Sequence, residues 1–440
     1  MILVPHLTTA LSGPLPELER RILDAMPVIE HWLHGQWQEH ATPFYSSVDL
    51  RNSGFKLAPV DTNLYPGGFN NLNQDFDALC VQATIAAVKK TCPDARGILL
   101  IPENHTRNIG YMQNVAALQR ILRNAGMIVR IGSLVPDLSA PTDIDLPNGN
   151  KLKLAPLERN GNRLGVDGFD PCVVMLNNDL SSGLPEILRN IEQTVLPPLH
   201  AGWFMRRKSN HFAVFKEVAT EFAKLVSIDP WLINPYFEKC GKINFHERKG
   251  EECLEGYVSE ILADIRAKYK EYGITQEPFV IVKADAGTYG MAIMTVKDPS
   301  EMSNLNRKER KKMEMGKGHV EVHEVLAQEG VYSLETVDGA VAEPVVYMID
   351  QFVVGAFYRA HAGRGQDQNL NVPGSRFVQL AFDRPSYSPN SGASGCSPNR
   401  FYAYGVIARL ALFAAAIELE RTKQAFVEHF ASQPRAAPIL

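Results

Sequence analysis

Residues 279–296, FVIVKADAGTYGMAIMTV, decide how this chain is read. The apolar, β-branched segment 279–283 predicts a buried strand that ends in Lys283. A small-residue loop, 285–290, follows with Gly287 and Gly290, and a second strand, 291–296, leaves at once. Such a strand fixes the lysine ammonium, while the glycines let backbone N–H groups approach phosphate oxygens with no side chain in the way. Because a strand rather than a helix follows Gly290, neither a P-loop nor a dinucleotide-binding turn is supported. Taken alone, the segment reads equally well as a plain β-hairpin.

Outward from this run, strands are expected at 323–328, 345–349 and 352–358, the last two joined by a turn at Asp350 and Gln351. Helices are expected at 212–226 and 253–272, and the charged stretch 307–317 reads as a solvated helix or loop. Before residue 200 the pattern alternates. The runs GILLIP (97–102) and MIVRI (127–131) predict strands on either side of a helix, 111–124, whose Val115, Leu118, Ile121 and Leu122 fall at helical spacing. PCVVML (171–176) is a third strand, and the Pro-, Asn- and Gly-rich stretch 136–167 is an excursion. The fold class expected is therefore α/β with a largely parallel sheet, then α+β, with a boundary near residue 200. The apolar stretch 404–417 carries Arg409 and reads as a buried helix, since a membrane span needs about 20 apolar residues.

A chain of 440 residues suggests two or three domains, and 45% hydrophobic with 21% charged residues describes a folded soluble protein. A net charge of -4 supplies no field that draws nucleic acid or anionic lipid, so any anion must be gripped locally. The first residues make a poor secretory signal, and the six cysteines form no CxxC pair, which fits a reducing cytoplasm.

Residues 48–75, VDLRNSGFKLAPVDTNLYPGGFNNLNQD, read as a polar recognition loop. Arg51, with Asn52 beside it, suits bidentate binding of a carboxylate; Asp61 suits an ammonium; Asn63, Asn70 and Asn71 suit the remaining donors and acceptors. Each residue reads equally well as part of a structural Asx-rich loop. PENHTRN (102–108) and LNNDLSSG (176–183) follow strands, where α/β domains place ligands, and bring in His105 and Arg107, either of which can instead cap the next helix.

Residues 201–380 resemble the ATP-grasp superfamily, which holds ATP between two lobes with two lysines, a Gly-rich loop and a hinge along adenine. Lys283 resembles the second lysine, and Gly287, Thr288, Tyr289 and Gly290 the loop; Lys208, in RRKSNHFAVFKEV, stands before a helix as the first lysine does. VHEVLAQEGVYSLE resembles the hinge, which implies Gln328, Glu329 and Val331 along adenine and Glu335 at the ribose. EPVVYMIDQFVVGAFYRAH resembles the paired strands that end in an arginine, here Arg359, and NLNVPGSRF the segment that closes the site with Asn369 and Asn371. The late Asp and Glu-x-Asn that hold magnesium in many members are not found. Glu343, Asn369 and Asn371 remain as metal candidates together with Glu418 and Glu420, though most of these carboxylates are expected to be solvated. Magnesium is still expected, because it neutralises the transferring phosphate.

The strings RNSGFK, APVDTNLYPGGFNN and AEPVVYMID extend the resemblance over nearly the whole chain, to a proteobacterial-type glutamate-cysteine ligase family. This implies an N-terminal α/β pre-ATP-grasp domain (1–200), a two-lobed ATP-grasp domain (201–440) and Lys283 and Arg359 as catalytic cations. It also implies that ATP activates the γ-carboxylate of L-glutamate as an acyl phosphate, which the amine of L-cysteine captures, so no catalytic histidine is required. Glutathione synthetase or another ATP-grasp amino-acid ligase is the alternative enzyme. A nucleotide-sensing homologue is the non-enzymatic one, against which Lys208 and Lys283 both count. No nucleic-acid or membrane partner is expected, and the oligomeric state, a homo-oligomer included, stays open.

Overall fold

A computed structural model describes residues 7–8, 14–287, 292–316, 321–380 and 400–431. The decisive run forms the antiparallel pair Val280–Ala284 and Ile293–Val296, with Lys283 opposite Ile293. Thr288, Tyr289 and Gly290 lie outside the described residues. Val325–Glu329 pairs on the other side of Val280–Ala284, and Phe237–Cys240 closes a four-stranded sheet. Strand alternation gives each residue its role: Val280 and Val282 enter the core, while Ile281 and Lys283 face a cavity. Helices Lys208–Val226 and Glu251–Tyr272 contribute Phe215, Phe222, Val258 and Ile265 to the same core.

The parallel sheet runs 194–196, 173–177, 97–102, 128–133, 151–156, with 142–145 added antiparallel at the edge. Its helix Ile109–Asn124 begins with an Asn108 cap on the Tyr111 amide, and the excursion supplies the edge strands and a small hairpin, 158–165.

Residues 48–75 are not one loop. Tyr45–Asn52 and Leu57–Asn63 are paired strands, and Tyr45–Asn52 also pairs with Ala340–Ile349, which in turn pairs with Phe352–His361. Early and late strands thus share a seven-stranded sheet across residue 200. Apolar Val48 and Leu50 point to the core, leaving Asp49 and Arg51 on the other face.

The late helix is longer than expected: it runs from Arg400 to Ala431, past Glu418 and Glu420. Residues Phe401–His429 are long and apolar enough to cross a membrane, but 89% of that apolar window is buried in the protein. Glu418 is not solvated. It is 1% exposed, paired with Arg206 at 3.0 Å and hydrogen-bonded to His211 at 3.1 Å. Glu420, on the exposed side, meets His40.

Candidate active site

Two cavities meet between the sheets. The first lies under Val280–Ala284 and is lined by Lys208, Lys283, Gly287, Gln328 and the 45–63 strands. The second, about 450 Å³, lies between those strands, residues 65–71 and the carboxyl ends of the parallel strands 97–102 and 173–177. Asp49, Asp61 and Asn371 line both.

In the first cavity Lys283 Nζ donates to the Val60 carbonyl at 2.7 Å and to Gln328 Oε1 at 2.8 Å. Burial, and then the charge of Lys208, push its pKa down to about 7. Lys208 opens its helix, lies 2.5 Å from Asp61 and sits over the Trp203 ring. Asp61, expected at a substrate ammonium, is therefore the partner of Lys208. Although burial opposes it, Lys208 and Lys283 hold Asp61 down at about 2.

Asp285, at the start of the small-residue loop, is fully buried, accepting from the Ser209 amide and hydroxyl at 2.7 Å each. Its carbonyl takes the Lys208 amide, so one residue ties the Lys283 strand to the helix that carries Lys208.

Gln328, Glu329 and Val331 line the first cavity, and Gln328 Nε2 is buried without a partner among the described residues. The Glu329 carboxylate is engaged by buried Lys56 at 2.8 Å, Trp231 Nε1 and the Tyr236 amide, and its own amide donates to the Tyr236 carbonyl at 2.8 Å. Glu335, expected at the ribose, is buried against Tyr404 and Asn52 and lines neither cavity. Asn52, expected at substrate, belongs to that same core network, donating to the Tyr404 hydroxyl at 3.1 Å.

Arg51 also departs from expectation. It lines the first cavity, but its donors are engaged by Glu343 at 2.9 Å and by the carbonyls of Val331 and Gln368. Glu343 also takes Arg359 at 2.7 Å, and Arg359 reaches Asp49 at 2.8 Å. An alternating ladder, Arg51, Glu343, Arg359, Asp49, therefore runs from the first cavity into the second. Burial lifts the Asp49 carboxyl above its ordinary value despite Arg359 beside it, and the Glu343 charge adds to the rise.

Arg359, Asn63, Asn70 and Asn71 line the second cavity. Gly68 in its wall has φ +116°, and a Cβ there would meet the Tyr347 hydroxyl at 2.7 Å, so close packing requires glycine. Arg107 is exposed and lines neither cavity, and exposed His105 packs edge-on against Tyr111. Asn369 lines the first cavity with Asn371. Residues not singled out in the sequence also face these cavities: Asp49, Tyr65, Glu103 and Asp179. The signal for Asp49 was the spacing of two between Ser47, Asp49 and Arg51 on a strand.

Comparison with known proteins supplies the class: the chain is a ligase that forms a carbon–nitrogen bond. It belongs to the glutamate-cysteine ligase family, whose sequence model matches residues 19–419. A solved structure from Methylobacillus flagellatus, provisionally named a gamma-glutamylcysteine synthetase, is 60% identical, with a TM-score of 0.89 over 96% of this chain and 100% of that one. A glutathione synthetase-like effector of Globodera pallida (10% identity, 78% of this chain and 77% of that one, TM-score 0.37) carries no argument at that similarity. The same holds for D-alanyl-alanine synthetase A of Vibrio cholerae (11%, 71% and 80%, TM-score 0.34). No curated protein matches the chain.

Proposed function

We propose that the first cavity holds ATP in the ATP-grasp manner and the second holds the amino acids. ATP phosphorylates the γ-carboxylate of L-glutamate, and the amine of L-cysteine attacks the acyl phosphate, giving γ-glutamylcysteine, ADP and phosphate in the cytoplasm. The observation that carries this reading is the buried pair Lys208 and Lys283 at the wall where the two cavities share Asp49, Asp61 and Asn371. Phosphate oxygens replace the Val60 carbonyl as a partner of Lys283 and join Asp61 around Lys208, which places the reacting phosphate against the second cavity. The Gln328 amide nitrogen, which has no partner among the described residues, is a donor for the nucleotide. Residues 201–440 then form the nucleotide-holding part and residues 1–200 the part that presents amino acids, with the strands of 45–63 between them.

Of the expected magnesium donors, Asn369 and Asn371 line the first cavity and would be available to an ion on the nucleotide, whereas both oxygens of Glu343 already accept from Arg51 and Arg359. Among the described residues no three His, Cys, Asp or Glu side chains group to hold a metal, so the protein would contribute few of its ligands. Such an ion would neutralise charge on the transferring phosphate. The deciding experiment measures ADP release over pairs of amino acids. Glutamate with cysteine should release ADP; release only with γ-glutamylcysteine and glycine would make the enzyme a glutathione synthetase.

Two further results are expected at the nucleotide. Lys283 is largely neutral at pH 8 without ligand, since its pKa lies at about 7, and phosphate charge raises that pKa. ATP binding at pH 8 should therefore take up close to one proton, and affinity should fall as pH rises above 7. Calorimetry in buffers of different ionisation enthalpy measures the uptake, and Lys283→Arg should abolish it. Arg51 holds the Val331 carbonyl in the hinge, so Arg51→Lys should raise the Michaelis constant for ATP by roughly 10-fold, the loss of about one charge-assisted bond. A selective change for one amino acid would instead put Arg51 on a substrate carboxylate.

A further inference from the structure

Three residues that line the second cavity each carry a buried side-chain atom with no hydrogen-bond partner among the described residues: the Tyr65 hydroxyl, Asn70 Oδ1 and Arg359 Nε. Buried polar atoms are nearly always paired, so three orphans on one cavity wall outline a ligand. They differ in chemistry and position. Arg359 Nε is a cationic donor, and its group stands among Asp49 and Glu343 at the wall shared with the nucleotide cavity. Tyr65 is 6% exposed, and the charged groups that bear on its phenol are Asp179 and Glu103, at the side where the parallel strands end, and the Arg206 guanidinium, which opposes them. Burial, and then Tyr45, Asp179 and Glu103, keep that phenol protonated and hence neutral.

The Tyr65 hydroxyl is therefore an acceptor on the side where Glu103 and Asp179 line the cavity, and Arg359 Nε is a cationic donor at the wall shared with the nucleotide cavity. The α-ammonium of an amino acid suits the first side and a carboxylate awaiting phosphorylation suits the second. Asp61 does not compete for the ammonium, because Lys208 already occupies it.

We propose that Tyr65 selects L-glutamate: its hydroxyl oxygen accepts a hydrogen bond from the α-ammonium, with Asn70 Oδ1 as a second acceptor, while Arg359 Nε holds the γ-carboxylate toward ATP. The assignment rests on the second cavity being the amino-acid site. It explains a selection that the carboxylates alone do not make. Glutarate has the same two carboxylates as glutamate and lacks only the ammonium, so the acceptors at Tyr65 and Asn70 are what tell the two apart.

The test is Tyr65→Phe, which removes one oxygen and keeps the ring. The kcat/KM for L-glutamate should fall about 10- to 100-fold, the loss of one hydrogen bond to a charged group. The inhibition constant of glutarate, used as a competitor, should not move, nor should the Michaelis constants for ATP and L-cysteine. Thermal stability should not drop, because the hydroxyl has no partner among the described residues to lose. Equal losses for glutamate and glutarate, or lower stability with unchanged selectivity, would overturn the assignment. Arg359→Lys, run in parallel, separates the two levels of the argument. If it changes neither the glutamate nor the glutarate constant, the cavity is not the glutamate site and the underlying reading falls. If it raises both while Tyr65→Phe changes nothing, only the Tyr65 assignment falls.

Discussion

Lys283→Ala is expected to lower kcat/KM for ATP by about 10³-fold, at the upper end of what loss of one preorganised electrostatic contact removes. The ammonium stands at the end of a strand held on both sides by backbone pairing, so it needs little reorganisation when phosphate arrives. The fold should not suffer. Lys283 is desolvated without phosphate, as its lowered pKa records, and the alanine variant should melt at or above the wild-type temperature. Steady-state kinetics with ATP varied, together with a thermal melt, measure both effects. Wild-type kinetics would remove Lys283 from the site, and a collapsed melting temperature would make it a structural residue.

Local patterns carried much of the fold into the sequence. The strand 97–102 was legible residue by residue because an unbroken apolar run followed by a helical repeat has few other solutions in an α/β domain. The Lys283 strand was legible for the same reason, since an unbroken apolar run, 279–282, leads into the lysine. The strands 45–52 and 57–63 were not. Their polar residues, Asp49, Arg51 and Asp61, find partners at Arg359, Glu343 and Lys208, between 147 and 310 residues away, and no local period announces such pairing. Glu418 was misread in the same way, because its two partners lie more than 200 residues upstream. The resemblance picked out Lys208, Lys283 and Arg359, which line the two cavities, whereas Tyr65 emerged only when burial showed its hydroxyl to have no partner among the described residues. Asn52 and Glu335 show the converse. Both are polar and close in sequence to true lining residues, yet they meet each other and Tyr404 behind the wall.

Glu343 separates a strut from a metal ligand most sharply. It is 3% exposed and joins two arginines that reach it from different strands, Arg51 at 2.9 Å and Arg359 at 2.7 Å. Removing its charge leaves two guanidinium groups facing each other in a desolvated space, and breaking a buried pair of this kind costs about 3–5 kcal/mol. Glu343→Ala should therefore lower the unfolding free energy by about that much in magnesium-free buffer. Glu343→Gln should lose less, because its amide oxygen still accepts from one arginine. A carboxylate whose main task was to bind magnesium would behave in the opposite way. Its removal would leave the metal-free protein as stable as before, or more so, and the defect would appear as a raised magnesium requirement for ADP release. Urea denaturation in chelator, followed by magnesium titration of activity for the same two variants, measures both quantities. Loss of stability without metal makes Glu343 the centre of the charge ladder that sets Arg359 toward the glutamate carboxylate; unchanged stability with a shifted magnesium response returns it to the metal.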